Sequence, residues 1–365
     1  MVAVALAALA PGCLRAYVFS RLPGPVLGLE PAPAGVGSLS AESCATCHAQ
    51  IAAEWRSSRM AMAWTDPVFQ ADFDAQHQPY VCRHCHTPLE QQRPEIVTGL
   101  ASLKPVRGEG HANPAYDEAL RDEGVNCAAC HVRDGAVVGP LAGTSAPHAV
   151  TVDPGFASVD RCAPCHQSPA PPFTGLTRPL LDVVSEWTEW KRVTGRDESC
   201  VDCHMPAVTR PLTAYTPERE GRHHTFRGGW DDALVASAVR LDAATRTPGG
   251  IRVVVTNLSG HRLPTSDPMR SLAIRATLVT ADGRAPESSV AIDRRVDFPA
   301  YRERWDNTLT PGETRTIDLP FAAAELSLAT GATVSAWWSR VAHGTPELRA
   351  LDPGPVMLSQ LSASW

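Results

Sequence analysis

The chain has 365 residues, 44% of them apolar and 20% charged, which describes a globular protein with one large or two to three ordinary domains and a buried core. Its formal charge is −6 and its basic residues are nearly all arginine, Lys104 and Lys191 being the only lysines. No basic run tracks a phosphate backbone, so nucleic acid is excluded as a partner.

The first stretch, MVAVALAALAPGCLRAYVF, is apolar over the length of a secretory h-region, with no basic residue in front of it. Pro11, Gly12 and Arg15 interrupt it, so no run of about 20 residues could span a bilayer by itself. Residues 1–21 are expected to be a leader or membrane anchor whose start lies upstream, and Cys13 is a poor match to a lipidation site. Residues 22–40 are rich in Pro, Gly and Ala and are expected to be a linker.

Ten of the eleven cysteines form five Cys-x-x-Cys pairs, each followed at once by histidine: Cys44/Cys47/His48, Cys82/Cys85/His86, Cys127/Cys130/His131, Cys162/Cys165/His166 and Cys200/Cys203/His204. Two thiols at this spacing can each bond one vinyl group of a haem while the adjacent imidazole reaches the iron. Zinc explains paired cysteines but not a histidine after every pair, and disulfides explain neither. The expectation is five covalent haem c groups, bound by the ten cysteines and ligated by His48, His86, His131, His166 and His204. Such attachment implies a periplasmic or outward-facing protein. Motif starts lie 38, 45, 35 and 38 residues apart. With only 6% aromatic residues, the porphyrins must supply much of the apolar interior there. Short helices joined by irregular loops are expected. The clearest helix is PLLDVVSEWTEWKRVTG, with Leu180, Val184 and Trp187 on one face packing a neighbouring haem and Gly195 as its stop.

Eight histidines remain as candidates for the opposite axial position: His77, His84, His111, His148, His223, His224, His261 and His343. From about Ser43 to Gly229 the chain resembles multihaem c-type cytochromes related to the one that receives electrons from hydroxylamine oxidation in nitrifying bacteria. In that family a Trp-x-x-Ser-x-His pattern after the first motif carries a distal ligand, whereas this chain reads Trp55, Ser58, Arg59, Met60. Met60, a soft thioether, is therefore the expected ligand there, with Met62 beside it. The segment GVNCAACHVRDG followed by APHAV implies His148. CVDCHMP followed by RHHTFRGG implies His224, with adjacent His223 able to exchange roles. Met205 packs beside its own haem, and His84, inside the second motif, is expected to face solvent or a propionate. The fifth distal position is open among His77, His111 and His343, or vacant.

Residues 41–232 are thus expected to form a pentahaem domain and 233–365 a β-sandwich, an α+β multidomain chain. IRVVVTN and SLAIRATLV alternate Ile251, Val253 and Val255, then Leu272, Ile274, Ala276 and Leu278, before a turn at Asp282-Gly283. TRTIDLPF and ATVSAWWSRV add two strands. Between the first two strands lies NLSGHRLPTSDPMR, similar to the Gly-His-x-x-Pro-Thr loop of these cytochromes, which implies His261 as a further distal ligand. The expected role is electron transfer between redox partner proteins. A reductase or oxidase of a small nitrogen or sulfur compound, and a subunit of an extracellular filament or outer-membrane complex, are the alternatives. Neither lysine follows a cysteine pair, unlike the Cys-x-x-Cys-Lys motif of nitrite reductases, so a non-enzymatic role is expected.

Overall fold

The computed structural model describes residues 30–101, 108–141, 146–168, 175–298 and 300–365, together with 16, 18, 19, 27 and 28. The leader, Cys13, Lys104 and most of the linker up to residue 29 lie outside them. The chain divides into two compact units, one of Met1–Phe173 with Glu198–Phe226 and one of Thr174–Asp197 with Arg227–Trp365.

The first unit is built of short pieces. Each cysteine motif lies on or at the end of a single helical turn: Ala41–Ala45, Arg83–His86, Cys127–His131, Ala163–His166 and Cys200–His204. Local capping starts these turns, because the Asn126 side chain accepts from Ala129 N at 3.3 Å and Asp202 accepts from Ser199 N at 2.9 Å. Longer helices occupy Ala49–Arg56 and Pro67–Ala75. An antiparallel hairpin pairs Ala207–Pro211 with Glu218–Arg222. Side chains pack thinly here. Among the described residues the apolar clusters hold six members around Leu89 and three around Tyr80.

The second unit has a conventional core of twenty-one residues. Its strands are β1 Val239–Thr247, β2 Gly250–Asn257, β3 Ser271–Thr280, β4 Glu287–Asp297, β5 Arg302–Asp306, β6 Thr314–Pro320, β7 Ala329–Ser339 and β8 Val356–Ser364. They form two antiparallel sheets, β1-β2-β6 and β5-β4-β3-β7-β8. Ile251, Val253 and Val255 of β2 meet Leu272, Ile274 and Leu278 of β3 in one core. The two-residue period puts every second side chain of each strand inside.

The helix Val183–Thr194 ends at Gly195, whose φ of 70° is a left-handed cap that glycine takes without steric cost. Its buried face differs from the one expected. Asp182, Glu186 and Trp190 are buried, and a Cβ on Gly260 would stand 3.8 Å from Trp190. The helix therefore belongs to the β unit, which moves residues 174–197 out of the segment assigned to the haem domain. A polar network explains this: Arg178 binds Asp306 at 2.7 Å and Glu186 at 3.1 Å, and Glu186 accepts from Arg262 N and the Thr265 hydroxyl. Arg294, almost fully buried, ties Glu303 to the carbonyls of Arg178 and Pro179.

Candidate functional site

An α-helix turns once every 3.6 residues, so the first cysteine and the histidine of each motif, four positions apart, lie on one face. The decisive geometry lies across from two of those histidines. The rings of His48 and His148 have centroids 6.5 Å apart at 48°, and those of His131 and His224 lie 6.4 Å apart at 29°. A metal binds an imidazole nitrogen at about 2.0 Å, which sets two rings on either side of one iron about 6 Å apart, centroid to centroid. Both pairs sit close to that spacing.

Ring orientation is fixed by the main chain. His48 Nδ1 is 3.1 Å from the Leu212 carbonyl, His131 Nδ1 is 3.0 Å from that of Val138, and His224 Nδ1 is 2.9 Å from that of Arg222. His86 Nδ1 meets the Ala63 carbonyl. Donation from Nδ1 selects the tautomer whose Nε2 carries a free lone pair, the arrangement that metal-ligating histidines use. Burial holds the His131 pKa down at about 4, the Val138 carbonyl opposing it, and burial also lowers that of His224. The His131 ring is therefore neutral, the ligating form, at ordinary pH. His148 Nδ1 is buried with no hydrogen-bond partner. A buried ring nitrogen without a partner is costly unless a bound group takes it up, so this edge fits a ligand such as a haem iron.

The motifs also touch one another. The thiol of Cys44 meets that of Cys127, Cys85 meets Cys165, and Cys162 meets Cys200. Cys130 lies within electrostatic range of Cys162 and Cys165. The first motif thus neighbours the third, the third neighbours the fourth, and the fourth neighbours both the second and the fifth. None of these ten cysteines is bridged to another as a disulfide. Among the described residues no three His, Cys, Asp or Glu side chains converge as a bare metal ion would require.

Two of the ten expected attachment cysteines depart from the rest. Cys47 and Cys203 are exposed; the other eight are half-buried. The reason is their place in the series. They are the second cysteines of the first and fifth motifs, which lie at two of its ends, and these motifs meet their neighbours through their first cysteines, Cys44 and Cys200. Cys47 has the Thr46 hydroxyl 3.9 Å from its sulfur, a contact within its own turn. Exposure of Cys47 and Cys203 is compatible with the motif chemistry, since a thioether at a haem edge needs no enclosure by protein.

The remaining candidates are placed as follows. His148 faces the histidine of the first motif, and His224 that of the third. Met60 is placed by its main chain. Trp55 Nε1 donates to the Val125 carbonyl at 2.8 Å and Val125 N donates to the Met60 carbonyl at 3.0 Å, so this segment docks on the approach to the third motif. The Met62 sulfur instead lies 4.0 Å from the Arg59 guanidinium. His84 is buried, edge-on to Tyr80 at 5.3 Å, which rules out the solvent-facing place expected of it and leaves the one beside a propionate. His77 sits exposed in a turn at φ 64° and His111 is exposed on the strand Gly108–Ala112. His343 gives Nε2 to Asp293 at 2.7 Å. His261 lies on the β2–β3 loop, its carbonyl held by Asn257 at 2.8 Å and its Nδ1 3.9 Å from Glu186.

Two residues of the site escape a reading of the sequence: Phe69, stacked on His86 at 3.6 Å, and Glu54, which binds His223 and His224. Glu54 reads there as an ordinary helix-surface acid. The carbonyls of Leu212, Val138 and Arg222 act whatever side chains those residues carry.

No family model and no curated protein matches this chain. Among solved structures it is similar to a penta-heme cytochrome c552 from Thermochromatium tepidum, with a TM-score of 0.63 and 18% identity over 91% of this chain and 100% of that one. At that identity the likeness is one of fold. Among the described residues no helix is long and apolar enough to cross a membrane.

Proposed function

We propose that this chain is a pentahaem c-type cytochrome that passes electrons between redox partners outside the cytoplasm. The observation that carries the reading is the pair of facing imidazole sets, His48 with His148 and His131 with His224, each spaced for one iron. Haem c, when bound, supplies a one-electron Fe(III)/Fe(II) couple. The ten cysteines anchor it, Cys47 and Cys203 from the exposed side, and main-chain carbonyls aim the imidazoles. The sulfur contacts between motifs support a continuous series in which the fourth motif is the branch point. The thin side-chain packing of the first unit supports porphyrins as the rest of its interior.

Haem propionates would add to a formal charge that is already −6, favouring a basic redox partner. Kinship with the hydroxylamine-pathway cytochromes rests on the motif frames around Trp55, His148, His224 and His261. The two sheets that share one core are read as a β-sandwich, and residues 1–21 as the export leader or anchor.

The test is expression with a c-type maturation system, followed by a pyridine haemochrome count and a reductive titration. Five haems per chain that fill stepwise with single electrons are expected. Fewer than five, or rapid turnover of nitrite or hydroxylamine, would overturn the reading.

A further inference from the structure

We infer that Glu54 is the positioning residue that commits His224, and not its neighbour His223, to the iron of the third motif. The inference deepens the cytochrome reading and rests on it. Two consecutive histidines present the same chemistry at nearly the same place, so something other than sequence must choose between them. Glu54 stands on the helix Ala49–Arg56, six residues after the histidine of the first motif. One carboxylate oxygen accepts from His224 N at 2.9 Å, and the other accepts from His223 Nδ1 at 2.9 Å and from the Arg210 guanidinium. Arg210 also donates to the Arg222 carbonyl at 3.0 Å, the same oxygen that faces His224 Nδ1 at 2.9 Å.

These bonds close a ring. Glu54 holds the backbone of His224, Arg210 links Glu54 to the Arg222 carbonyl, and that carbonyl orients the His224 imidazole toward His131. The His223 ring is turned the other way, onto the carboxylate. The clamp is largely buried, with Glu54 17% and Arg210 11% exposed, while His223 is 37% exposed. Charge-assisted bonds of this kind are short and directional, so they can fix a ring that van der Waals packing alone would leave free to turn. The same hairpin presents Leu212 to His48 at its turn and Arg222 to His224 at its base. One element therefore braces the proximal side of the first motif and the distal side of the third.

Electron paramagnetic resonance of the oxidised holoprotein tests this, with total haem counted in parallel. Glu54→Ala should convert one low-spin signal, about one fifth of the total, into two, because the released His223 now competes for the iron. Adding His223→Ala to Glu54→Ala should return a single low-spin species, a rescue that a merely structural role for Glu54 would not produce. Alone, His223→Ala should leave the spectrum unchanged, and His224→Ala should open the iron to carbon monoxide. If Glu54→Ala yields no holoprotein, Glu54→Gln, which keeps one acceptor, should give the same two species with the second one weaker. A wild-type spectrum in both Glu54 variants, failure of the rescue, or an iron opened by His223→Ala would overturn the inference. A wild-type protein without haem would overturn the inference together with the cytochrome reading, and the haem count distinguishes that outcome from a failure of the clamp alone.

Discussion

His148→Ala isolates the facing-imidazole geometry from everything else in the first motif. His148 precedes the strand Val150–Val152, which pairs in parallel with Ala136–Gly139 through main-chain bonds. The loop before it packs so tightly on Gly35 that a Cβ there would lie 2.1 Å from the Pro147 carbonyl. Removing the imidazole leaves both constraints intact and breaks no hydrogen bond at Nδ1, which has none. His48 also keeps its bond to the Leu212 carbonyl, so the proximal side stays in place. The change expected is one open iron among five, so about one fifth of the oxidised haem should turn high-spin. Carbon monoxide binding to the reduced protein should rise by one per chain over wild type. Added imidazole, sized for the vacated space, should reverse both effects. The assay is optical and paramagnetic titration against a fixed haemochrome count. An unchanged spin state at full haem occupancy would refute the pairing.

The β unit offers two further predictions that do not involve haem. Burial pushes Asp306 up, but the Thr308 hydroxyl and Arg178 outweigh it and hold the carboxyl below its ordinary value; for Asp293, bonds from His343 and Trp305 do the same against burial. Folded values below the unfolded one, about 3.9, stabilise the fold fully above that pH and lose their effect as pH falls through the folded values. The β unit should therefore melt at lower temperature below about pH 4, and Asp306→Asn should flatten that slope; a wild-type slope in this variant would refute the assignment. Ile274→Ala, at a fully buried position in β3, should cost about 2–5 kcal/mol in a denaturant titration of the β unit. A loss under about 1 kcal/mol would mean that the site is not core.

What the sequence reveals here follows from how local each constraint is. Thioether attachment needs two cysteines and a histidine within one helical turn, so the five motifs are plain in the one-dimensional pattern. Their surroundings are not: nothing in the motif says that Cys47 and Cys203 are exposed while Cys85, Cys130 and Cys165 are half-buried, because that depends on which motif lies beside which. Core strands are nearly as plain where a strand buries one face, as β2 and β3 do. β4 and β5 also bury Asp293, Arg294 and Glu303, which an apolar alternation passes over, because partners compensate their burial: Arg294 pairs with Glu303, and Asp293 binds His343 and Trp305. The helix Val183–Thr194 shows the same effect: its most buried side chain is the carboxyl of Glu186, which an apolar-face count places on the outside.

The facing imidazoles are harder to read because they arrive from distant segments. His148 lies 100 residues from His48, and His224 lies 93 from His131. Loops of that length cost only a slowly growing closure entropy, so sequence separation does not forbid such partners, and neither does it choose them. The choice is made by carbonyls and by Glu54. Main-chain acceptors carry no side-chain signature, and a single glutamate on a helix looks like solvated surface until the chain is folded around it. Met60 too is held through its main chain. Its carbonyl accepts from Val125 N at 3.0 Å, which fixes its backbone on the approach to the third motif, while the imidazole facing the first motif comes from another segment. A thioether ligand at one of the other irons would give a weak far-red sulfur-to-iron band in the oxidised holoprotein, which Met60→Ala should abolish.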